Sequence, residues 1–330
     1  MNPRTFQRIS DPAALPATLR GGVAAIGNFD GVHRGHKAVL EKARALADDM
    51  GAPALALTFE PHPRSVFRPE TPVFRLTPAP LKADLIRRAG FDAVVEQAFS
   101  RDFASLTAEE FVERVLTGGL GIAHAVTGFD FHFGRNRQGG PAYLMEAGRR
   151  HGFGVTLVDA LRDEGAEVVS SSRIRALLAR GEVAEAAGLL GYRFTIEAEI
   201  VVGKQLGRTL GYPTANMALP PETELNYGIY AVRLRRADGT LHDGVASFGR
   251  RPTVDADGAP LLETFVFGFS GSLYGETCRV SLFGFLRGEE KFDGLDALVA
   301  QMKRDEAEAR ALLSGVRPLS AVDAGLCFPG

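Results

Sequence analysis

The sequence predicts an α/β protein of two domains: a first domain built on a parallel β-sheet, and a second made of antiparallel strands and completed by a helix. Two observations predict it. In the first part of the 330 residues, buried-type apolar runs alternate with helical patterns. In the second part, strand patterns follow one another and are separated by turn residues. We place the boundary near 186–192 and take residues 1–188 and 189–330 as the two domains.

The first domain alternates strand and helix along its length. Predicted strands cover 23–26, 54–59, 93–95, 123–127 and 155–158, and predicted helices cover 35–50, 81–89, 107–116, 143–150 and 172–180. The helix near 107 carries a capping box, because Thr107 is followed three residues later by Glu110. Such alternation implies right-handed crossovers, and ligands of parallel sheets bind beyond the carboxyl ends of the strands.

The second domain has a different pattern. Predicted strands cover 194–202, 228–235, 245–248, 262–269 and 279–286, with turn pairs such as Asp238-Gly239 and Asp257-Gly258 between them. A final helix is predicted over 295–313. Consecutive strands without intervening helices indicate an antiparallel barrel or sandwich.

Composition excludes several classes of protein. The 38 basic and 40 acidic residues give a net charge of −2, which argues against a protein that coats nucleic acid, because that affinity comes from neutralising phosphates. The two cysteines, Cys278 and Cys327, exclude a disulfide framework and a Cys-rich zinc site. No stretch approaches the ~18 apolar residues of a membrane span, and Met1–Arg20 lacks a signal-peptide pattern. We therefore expect a cytoplasmic protein with no membrane or nucleic-acid partner.

One cluster of motif residues joins the first apolar strand to the first long helix. This segment, Gly27–His36, reads GNFDGVHRGH. A helix N-terminus attracts anions, and glycines there let the backbone approach a phosphate closely. His33 and His36 can donate hydrogen bonds to charge that develops on a phosphate, so we predict a nucleoside triphosphate site in which both are catalytic. The predicted ATP-binding residues are Asn28, Phe29, Asp30, Gly31 and Gly35.

A second cluster is the serine run at Ser170–Arg175. Serines at a helix start usually serve as caps, but two arginines stand beside these. Cations next to hydroxyl donors suit a polyphosphate. Ser171, Ser172 and Arg173 are therefore predicted to hold ATP.

A third cluster is Gly207–Asn216 in the second domain. Its glycines let backbone amides approach phosphate, and Thr214 and Asn216 offer neutral oxygens to a hard cation such as Mg²⁺. The remaining ATP-binding candidates of this segment are Gly207, Arg208, Gly211 and Pro213.

The first two clusters resemble the HxGH nucleotidylyltransferase superfamily. The strings TFEPHP at 58–63 and GFDFHFGRNRQG at 128–139 narrow the resemblance to the bacterial bifunctional riboflavin kinase/FAD synthetase family. The second half is similar to the same family, through GRTLGYPTAN at 207–216 and later matches that include FLR at 285–287. The resemblance covers nearly the whole chain, in the family's order. It implies a Rossmann-like parallel-sheet domain followed by an antiparallel β-barrel riboflavin kinase domain with a C-terminal helix.

The resemblance also implies roles for individual residues. Glu263 matches the acidic residue that takes the proton from the ribityl 5′-hydroxyl, and Thr214 and Asn216 match those that bind the Mg²⁺-nucleotide. The implied small molecules are riboflavin, FMN, FAD and ATP, with Mg²⁺ as the cofactor. The implied flavin contacts are Pro61, Pro63, Asp130, Phe133 and Arg287.

The sequence departs from the family's pattern at Val202, Gly268 and Ser270, which cannot supply the polar groups usual there. Two alternatives therefore stay open: an FAD synthetase whose kinase half is degenerate, and a flavin- or nucleotide-binding module without catalysis. A nicotinamide or flavin oxidoreductase is disfavoured because no GxGxxG follows the first strand. A P-loop kinase is disfavoured because Gly203-Lys204 is followed by glutamine rather than serine or threonine.

Overall fold

A computed structural model describes residues 5–202, 212, 214–250 and 259–329. Packing divides the chain into two units, Met1–Ser170 and Ser171–Gly330. The stretch 171–188, which the sequence places in the first domain, thus falls in the second unit. Within that unit, the backbone N–H of Asn226 donates to Leu178 O at 3.0 Å, and Gly181 lies against the Phe285 ring. The predicted ATP-binding residues Gly207, Arg208, Gly211 and Pro213 lie outside the described residues.

The first unit contains a six-stranded sheet whose strands are all parallel. Its strands are β1 Gln7–Ile9, β2 Val23–Ile26, β3 Ala54–Glu60, β4 Ala93–Ala98, β5 His124–Gly128 and β6 Gly154–Val158. Its helices are α1 Arg34–Asp49, α2 Pro63–Phe67, α3 Ala79–Arg88, α4 Arg101–Ala104, α5 Ala108–Phe111 and α6 Pro141–His151. The capping box of Thr107 and Glu110 is present at α5, and a π-type helix, Val112–Leu120, continues it.

The strand order of this sheet, β1-β4-β3-β2-β5-β6, contains a reversal. The chain runs from β2 outward through β3 and β4, then returns to the other side of β2 with β5. The carboxyl ends of β2 and β5 therefore flank the topological switch point, where open α/β sheets bind their ligands. All four residues of β2 are buried, as expected for a strand covered on both faces. The predicted Rossmann-like architecture is confirmed.

The second unit contains a six-stranded antiparallel sheet. It begins with α7 Ser171–Ala179 and α8 Val183–Leu190, and it ends with α9 Leu295–Gly315 and α10 Ala321–Cys327. Its strands are β7 Thr195–Glu199, β8 Thr214–Ala218, β9 Gly228–Arg235, β10 Leu241–Arg250, β11 Pro260–Val266 and β12 Thr277–Arg287, in the order β7-β12-β9-β10-β11-β8. Just beyond β7, the N–H of Val201 donates to Asn216 O on β8 at 2.8 Å, which brings the two edges together. The arrangement is a nearly closed barrel, so the barrel is the correct alternative rather than the sandwich.

A buried ion pair between Arg193 and Asp323, called the clamp below, joins α10 to the barrel. The carboxylate of Asp323 accepts a hydrogen bond from the Arg193 guanidinium, with which it forms an ion pair. It also accepts a hydrogen bond of 2.8 Å from the backbone N–H of Arg193. The guanidinium groups of Arg193 and Arg233 both lie within 5.4 Å of the ring centres of Phe283 and Phe328. Since a buried charge is costly unless it is paired, this end of the barrel depends on Asp323.

We expect Asp323→Asn to destabilise the second unit by about 3 kcal/mol, because it leaves the Arg193 guanidinium buried without its counter-charge. Urea unfolding followed by tyrosine fluorescence measures this, because five of the six tyrosines lie in the second unit and the chain has no tryptophan. The exposed Glu308→Gln on α9 is the matched control and should unfold like wild type. Equal midpoints for all three proteins would show that the clamp does not hold α10.

Candidate functional site

The turn between β2 and α1 has an unusual backbone. Phe29, Gly31 and Val32 have φ values of 48°, 88° and 36°. Left-handed conformations are rare for residues other than glycine and are rarest for β-branched ones. His33 follows as the N-cap of α1, and its Nδ1 accepts the backbone N–H of His36 at 3.3 Å. The motif thus forms a strained turn that ends at a helix N-terminus, where backbone amides point outward.

The two histidines of the motif are stacked on each other. Their ring centres are 3.7 Å apart with planes inclined by 17°, and Phe29 packs edge-on against His36. Because Nδ1 of His33 accepts a hydrogen bond, the neutral ring carries its proton on Nε2. Among the described residues, the buried Nδ1 of His36 has no hydrogen-bond partner. A buried ring nitrogen left in this way is free for a ligand.

The electrostatics around His36 favour its neutral imidazole. Burial, followed by the nearby charges of His33 and Lys82, lowers the pKa of His36 well below its ordinary value. His36 is therefore neutral at pH 7. It can contact phosphate oxygens as a hydrogen-bond donor, without the cost of a buried imidazolium.

A buried lysine that the sequence analysis missed lies beneath the turn. The ammonium of Lys82, on α3, donates to Asn28 O at 3.2 Å and to Thr58 Oγ1 at 2.8 Å. It also forms an ion pair of 2.6 Å with Glu60 at the end of β3. Its position in the sequence could have revealed this lysine. The face of α3 that buries Leu81, Leu85 and Ile86 is apolar, and Lys82 lies on that face.

Arg75 completes this buried cluster. Its guanidinium binds both oxygens of Glu60 at 2.8 Å, and its Nε lies 3.6 Å from Asp30 Oδ1. Burial alone would raise the pKa of Glu60, but the hydrogen bonds from Arg75 and the charge of Lys82 outweigh it and lower the pKa to about 2. Glu60 is therefore charged at all physiological pH values.

Three predicted ATP-binding residues make contacts that hold the turn between β2 and α1. Phe29 and Asp30 are each 1% exposed, and Asp30 Oδ1 accepts the N–H of Thr77 at 3.1 Å. The backbone carbonyl of Asn28 accepts hydrogen bonds from the Lys82 ammonium and the Thr58 hydroxyl. Their contact with ATP stays a prediction. The structure gives the side chains of Phe29 and Asp30, and the backbone carbonyl of Asn28, a role in holding the turn.

The predicted flavin contacts of the first unit follow β3 and β5, at the carboxyl edge of the sheet. Pro61 is exposed, and Pro63 is the first residue of α2. Asp130 is exposed beyond the end of β5. Phe133 is 7% exposed, with its ring centre 5.0 Å from that of Phe111 in the hydrophobic core. Three of the four are thus accessible in whole or in part. Phe133 has a clear packing role, and its flavin contact stays a prediction.

In the second unit, Ser171, Ser172 and Arg173 form the first turn of α7, as the serine run predicted. The barrel strands carry the other candidates. Thr214 and Asn216 lie two residues apart on β8, so they share one face of the sheet.

Register brings the two main kinase candidates together. Glu263 on β11 pairs directly with Asn216 on β8 and, on its other side, with Ser247 on β10. Directly paired side chains lie on the same face, with Cβ atoms about 5 Å apart. Asn216 is buried, and its Oδ1 has no hydrogen-bond partner among the described residues. An unpartnered amide oxygen, a hydroxyl and a carboxylate together suit a hard divalent cation.

Arg287, at the end of β12, pairs in register with Ile229 on β9. Its guanidinium is committed to α9, because both oxygens of Asp305 accept from it at 2.7–2.8 Å. The hydrogen bonds to Asp305 raise the pKa of Arg287 further. This geometry gives Arg287 a structural role, while its flavin contact stays a prediction.

The three departures from the family's pattern lie near the barrel surface. Val202 is 65% exposed, and Gly268 has a φ of 64° in the turn that follows β11. Ser270 is exposed. None of them disturbs the pairing of Asn216 with Glu263.

A Rossmann-like sheet with an HxGH turn at its switch point defines a nucleotidylyltransferase, and it stands here in one chain with a separate antiparallel barrel. The family model described as FAD synthetase matches residues 15–173, and the model described as riboflavin kinase matches residues 190–313. The chain belongs to the family of bifunctional riboflavin kinase/FMN adenylyltransferases.

Relatives with this description match nearly end to end. The one from Pseudomonas fluorescens is 42% identical over 299 residues, which cover 89% of this chain and 93% of the relative. The one from Escherichia coli (strain K12) is 37% identical over 302 residues, which cover 92% and 96%. A crystal structure described as a macrolide-efflux protein from Streptococcus pneumoniae has a TM-score of 0.81 and 30% identity, covering 92% of this chain and 98% of that one. From that structure we conclude that the two chains share a fold. In the described part of the chain, no helix has the length and apolar character to cross a membrane.

We expect Glu60→Gln to lower the stability of the first unit at pH 7 by about 2 kcal/mol, after allowance for solvent screening. Because folding lowers the pKa of Glu60 to about 2, its contribution is present above its ordinary pKa and is lost as the pH falls toward 2. The difference between wild type and variant should therefore shrink below about pH 4.5. Hydrogen exchange of peptides from β2 and β3 in urea, at pH 7, 5, 4 and 3, measures it. A difference independent of pH would contradict the assignment.

Proposed function

We propose that this chain makes FAD in two steps. The barrel transfers the γ-phosphoryl group of ATP to riboflavin, giving FMN and ADP. The parallel-sheet unit then transfers the adenylyl group of a second ATP to FMN, giving FAD and diphosphate. The observation that carries the proposal is the stacked pair His33 and His36 at the switch point, with a buried Nδ1 left for a ligand.

In the adenylyl transfer, a phosphate oxygen of FMN attacks the α-phosphorus of ATP. The bond from that phosphorus to its bridging oxygen breaks, and diphosphate leaves with the oxygen. His33 and His36 donate hydrogen bonds to the charge that develops on the α-phosphate, and the N-terminal amides of α1 add their dipoles. The sequence assigns Ser171, Ser172 and Arg173 to the polyphosphate, and it assigns Pro61, Pro63, Asp130 and Phe133 to the flavin. Both assignments belong to this proposal.

In the phosphorylation, the ribityl 5′-hydroxyl attacks the γ-phosphorus and ADP leaves. Glu263 accepts the proton of that hydroxyl. Phosphoryl transfer from ATP relies on a divalent cation, which would here neutralise the charge of the phosphates. We propose Mg²⁺, held by Thr214 and Asn216, because neutral oxygens suit it and Asn216 Oδ1 is buried without a partner among the described residues. Gly207, Arg208, Gly211 and Pro213 are proposed to bind ATP here, and Arg287 to contact flavin.

Two observations oppose a degenerate kinase half. Residues 190–313 match the riboflavin kinase model, and the relatives named above carry both activities in their description. The register also keeps Glu263 beside Asn216 despite Val202, Gly268 and Ser270. A binding module without catalysis would have no use for a carboxylate placed beside a cation site.

We also propose a reducing, cytoplasmic location. Cys278 and Cys327 are both buried free thiols. Burial raises the pKa of Cys278 to about 12, so its reactive thiolate is scarce. Chains that keep unpaired thiols in this way fit a reducing compartment.

Replacing His33 and His36 together by alanine should lower FAD formation from FMN by about 10²-fold or more, because charge on the α-phosphate loses its donors. Riboflavin phosphorylation by the same protein should be unchanged, because its residues lie in the other unit. Chromatography of FMN and FAD after incubation with ATP and Mg²⁺ measures both. An unchanged yield of FAD would show that the HxGH turn is not the adenylyl-transfer site.

Glu263→Gln should have the reverse effect. Losing the base should slow riboflavin phosphorylation by about 10²-fold, while added FMN is still converted to FAD. The exposed Glu199→Gln on β7 is the matched control and should keep both activities. Normal phosphorylation by the Glu263 variant would remove this residue as the base.

A further inference from the structure

We propose that Thr77 and Lys82, neither of which belongs to the HxGH motif, are positioning residues for adenylyl transfer. They hold residues 28–32 in the conformation that presents His33, His36 and the amides of α1 to ATP. The inference rests on the proposed function of that turn and extends it to two side chains buried beneath it.

The turn needs an external restraint. Phe29 and Val32 are held at φ values of 48° and 36°, which L-residues seldom adopt and which a β-branched side chain resists. Such conformations persist only where the surrounding structure over-determines them. The immediate sequence, NFDGV, offers a glycine at only one of its three left-handed positions. The restraint must therefore come from other elements.

Thr77 supplies the restraint at the middle of the turn. Its Oγ1 accepts the N–H of Gly31 at 2.9 Å, and its own hydroxyl lies 3.4 Å from Asp30 Oδ1. Its backbone N–H donates to the same carboxylate oxygen at 3.1 Å. Thr77 is 0% exposed, so a ligand cannot touch it. Its side chain acts on ATP only through the backbone of the turn.

Lys82 supplies the restraint at the start of the turn. Its three ammonium protons match three acceptors: Asn28 O at 3.2 Å, Thr58 Oγ1 at 2.8 Å and Glu60 at 2.6 Å. Thr58 Oγ1 also donates to Asn28 O, at 3.0 Å. The ammonium is fully engaged inside the protein, so it acts by holding the Asn28 carbonyl.

Charge balance separates this role from that of a phosphate-binding lysine. Lys82 and Arg75 face Glu60 and Asp30, so two cations are matched by two anions in one buried cluster. Such a cluster adds little net charge at the ATP site. What it fixes is the position of the backbone, to which reactions that depend on near-attack geometry are sensitive.

The experiment compares Thr77→Val with Thr77→Ser in the full chain. Valine keeps the volume but loses the oxygen that accepts the N–H of Gly31, whereas serine keeps it. We expect Thr77→Val to lower kcat for FAD formation and to raise KM for ATP. Together these changes should lower kcat/KM for ATP by about tenfold to 10²-fold. The KM for FMN and the rate of riboflavin phosphorylation should both be unchanged. Thr77→Ser should keep most of the wild-type rate of FAD formation. Thr156→Val is the matched control, because it loses a hydroxyl bonded to His124 in the same sheet.

A second pair tests Lys82. Lys82→Met removes the hydrogen bond to Asn28 O and unbalances the cluster, whereas Lys82→Met with Glu60→Gln removes the bond but restores charge balance. We expect both proteins to form FAD at least about tenfold more slowly than wild type, because in each the Asn28 carbonyl loses the ammonium and keeps only the Thr58 hydroxyl. Recovery of the wild-type rate in the double variant would overturn positioning by Lys82 in favour of charge balance.

The outcomes separate this inference from the proposed function. If wild type forms no FAD, the proposed function fails. If wild type forms FAD but Thr77→Val stays within twofold of it, only the inference fails. It also fails if the lost rate merely follows the fraction of unfolded protein, measured by thermal melting, with KM for ATP unchanged, because a residue that only stabilises the fold would act in that way.

Discussion

The strained turn between β2 and α1 is the constraint on which the candidate site of the first unit depends. Three of its residues adopt left-handed backbone conformations, and only one of the three is glycine. The turn leads directly into the N-terminus of α1, a position that favours anions. The local sequence cannot hold it alone, so β3, the loop before α3 and α3 itself supply Thr58, Thr77 and Lys82 as anchors. The turn therefore keeps its conformation only when these elements are packed against it.

The two sites follow the same physical logic on unrelated architectures. In each, a polar atom is buried without a protein partner among the described residues: Nδ1 of His36 in the first unit and Oδ1 of Asn216 in the second. Buried polar atoms without a partner cost stability, and a bound ligand or ion is one way to satisfy them. In each, a rigid sheet fixes the candidate catalytic groups, by the switch point in one unit and by strand register in the other.

Buried charge is managed differently in the two units. Beneath the HxGH turn, Lys82 and Arg75 are balanced by Glu60 and Asp30, and the cluster contacts the backbone of the turn at Asn28 O. At the end of the barrel, Arg193 is balanced by Asp323, and the pair fastens a terminal helix. Each arrangement is costly to break, because removing one partner leaves a buried charge unpaired. We propose that only the first is coupled to chemistry, through the Asn28 carbonyl.

The sequence by itself determined the α/β order of the first unit, the antiparallel strands of the second, and the HxGH turn with its two histidines. These features are contiguous, so periodicity and residue spacing reveal them. It did not reveal β1, α2, α4, α8, β8 or α10, most of which are too brief to show a period. Only the tertiary structure decided that β5 lies beside β2, that Glu263 pairs with Asn216, and that Thr77 and Lys82 lie under the turn. Those relations join residues tens of positions apart, and they depend on strand order and register, which no local pattern encodes.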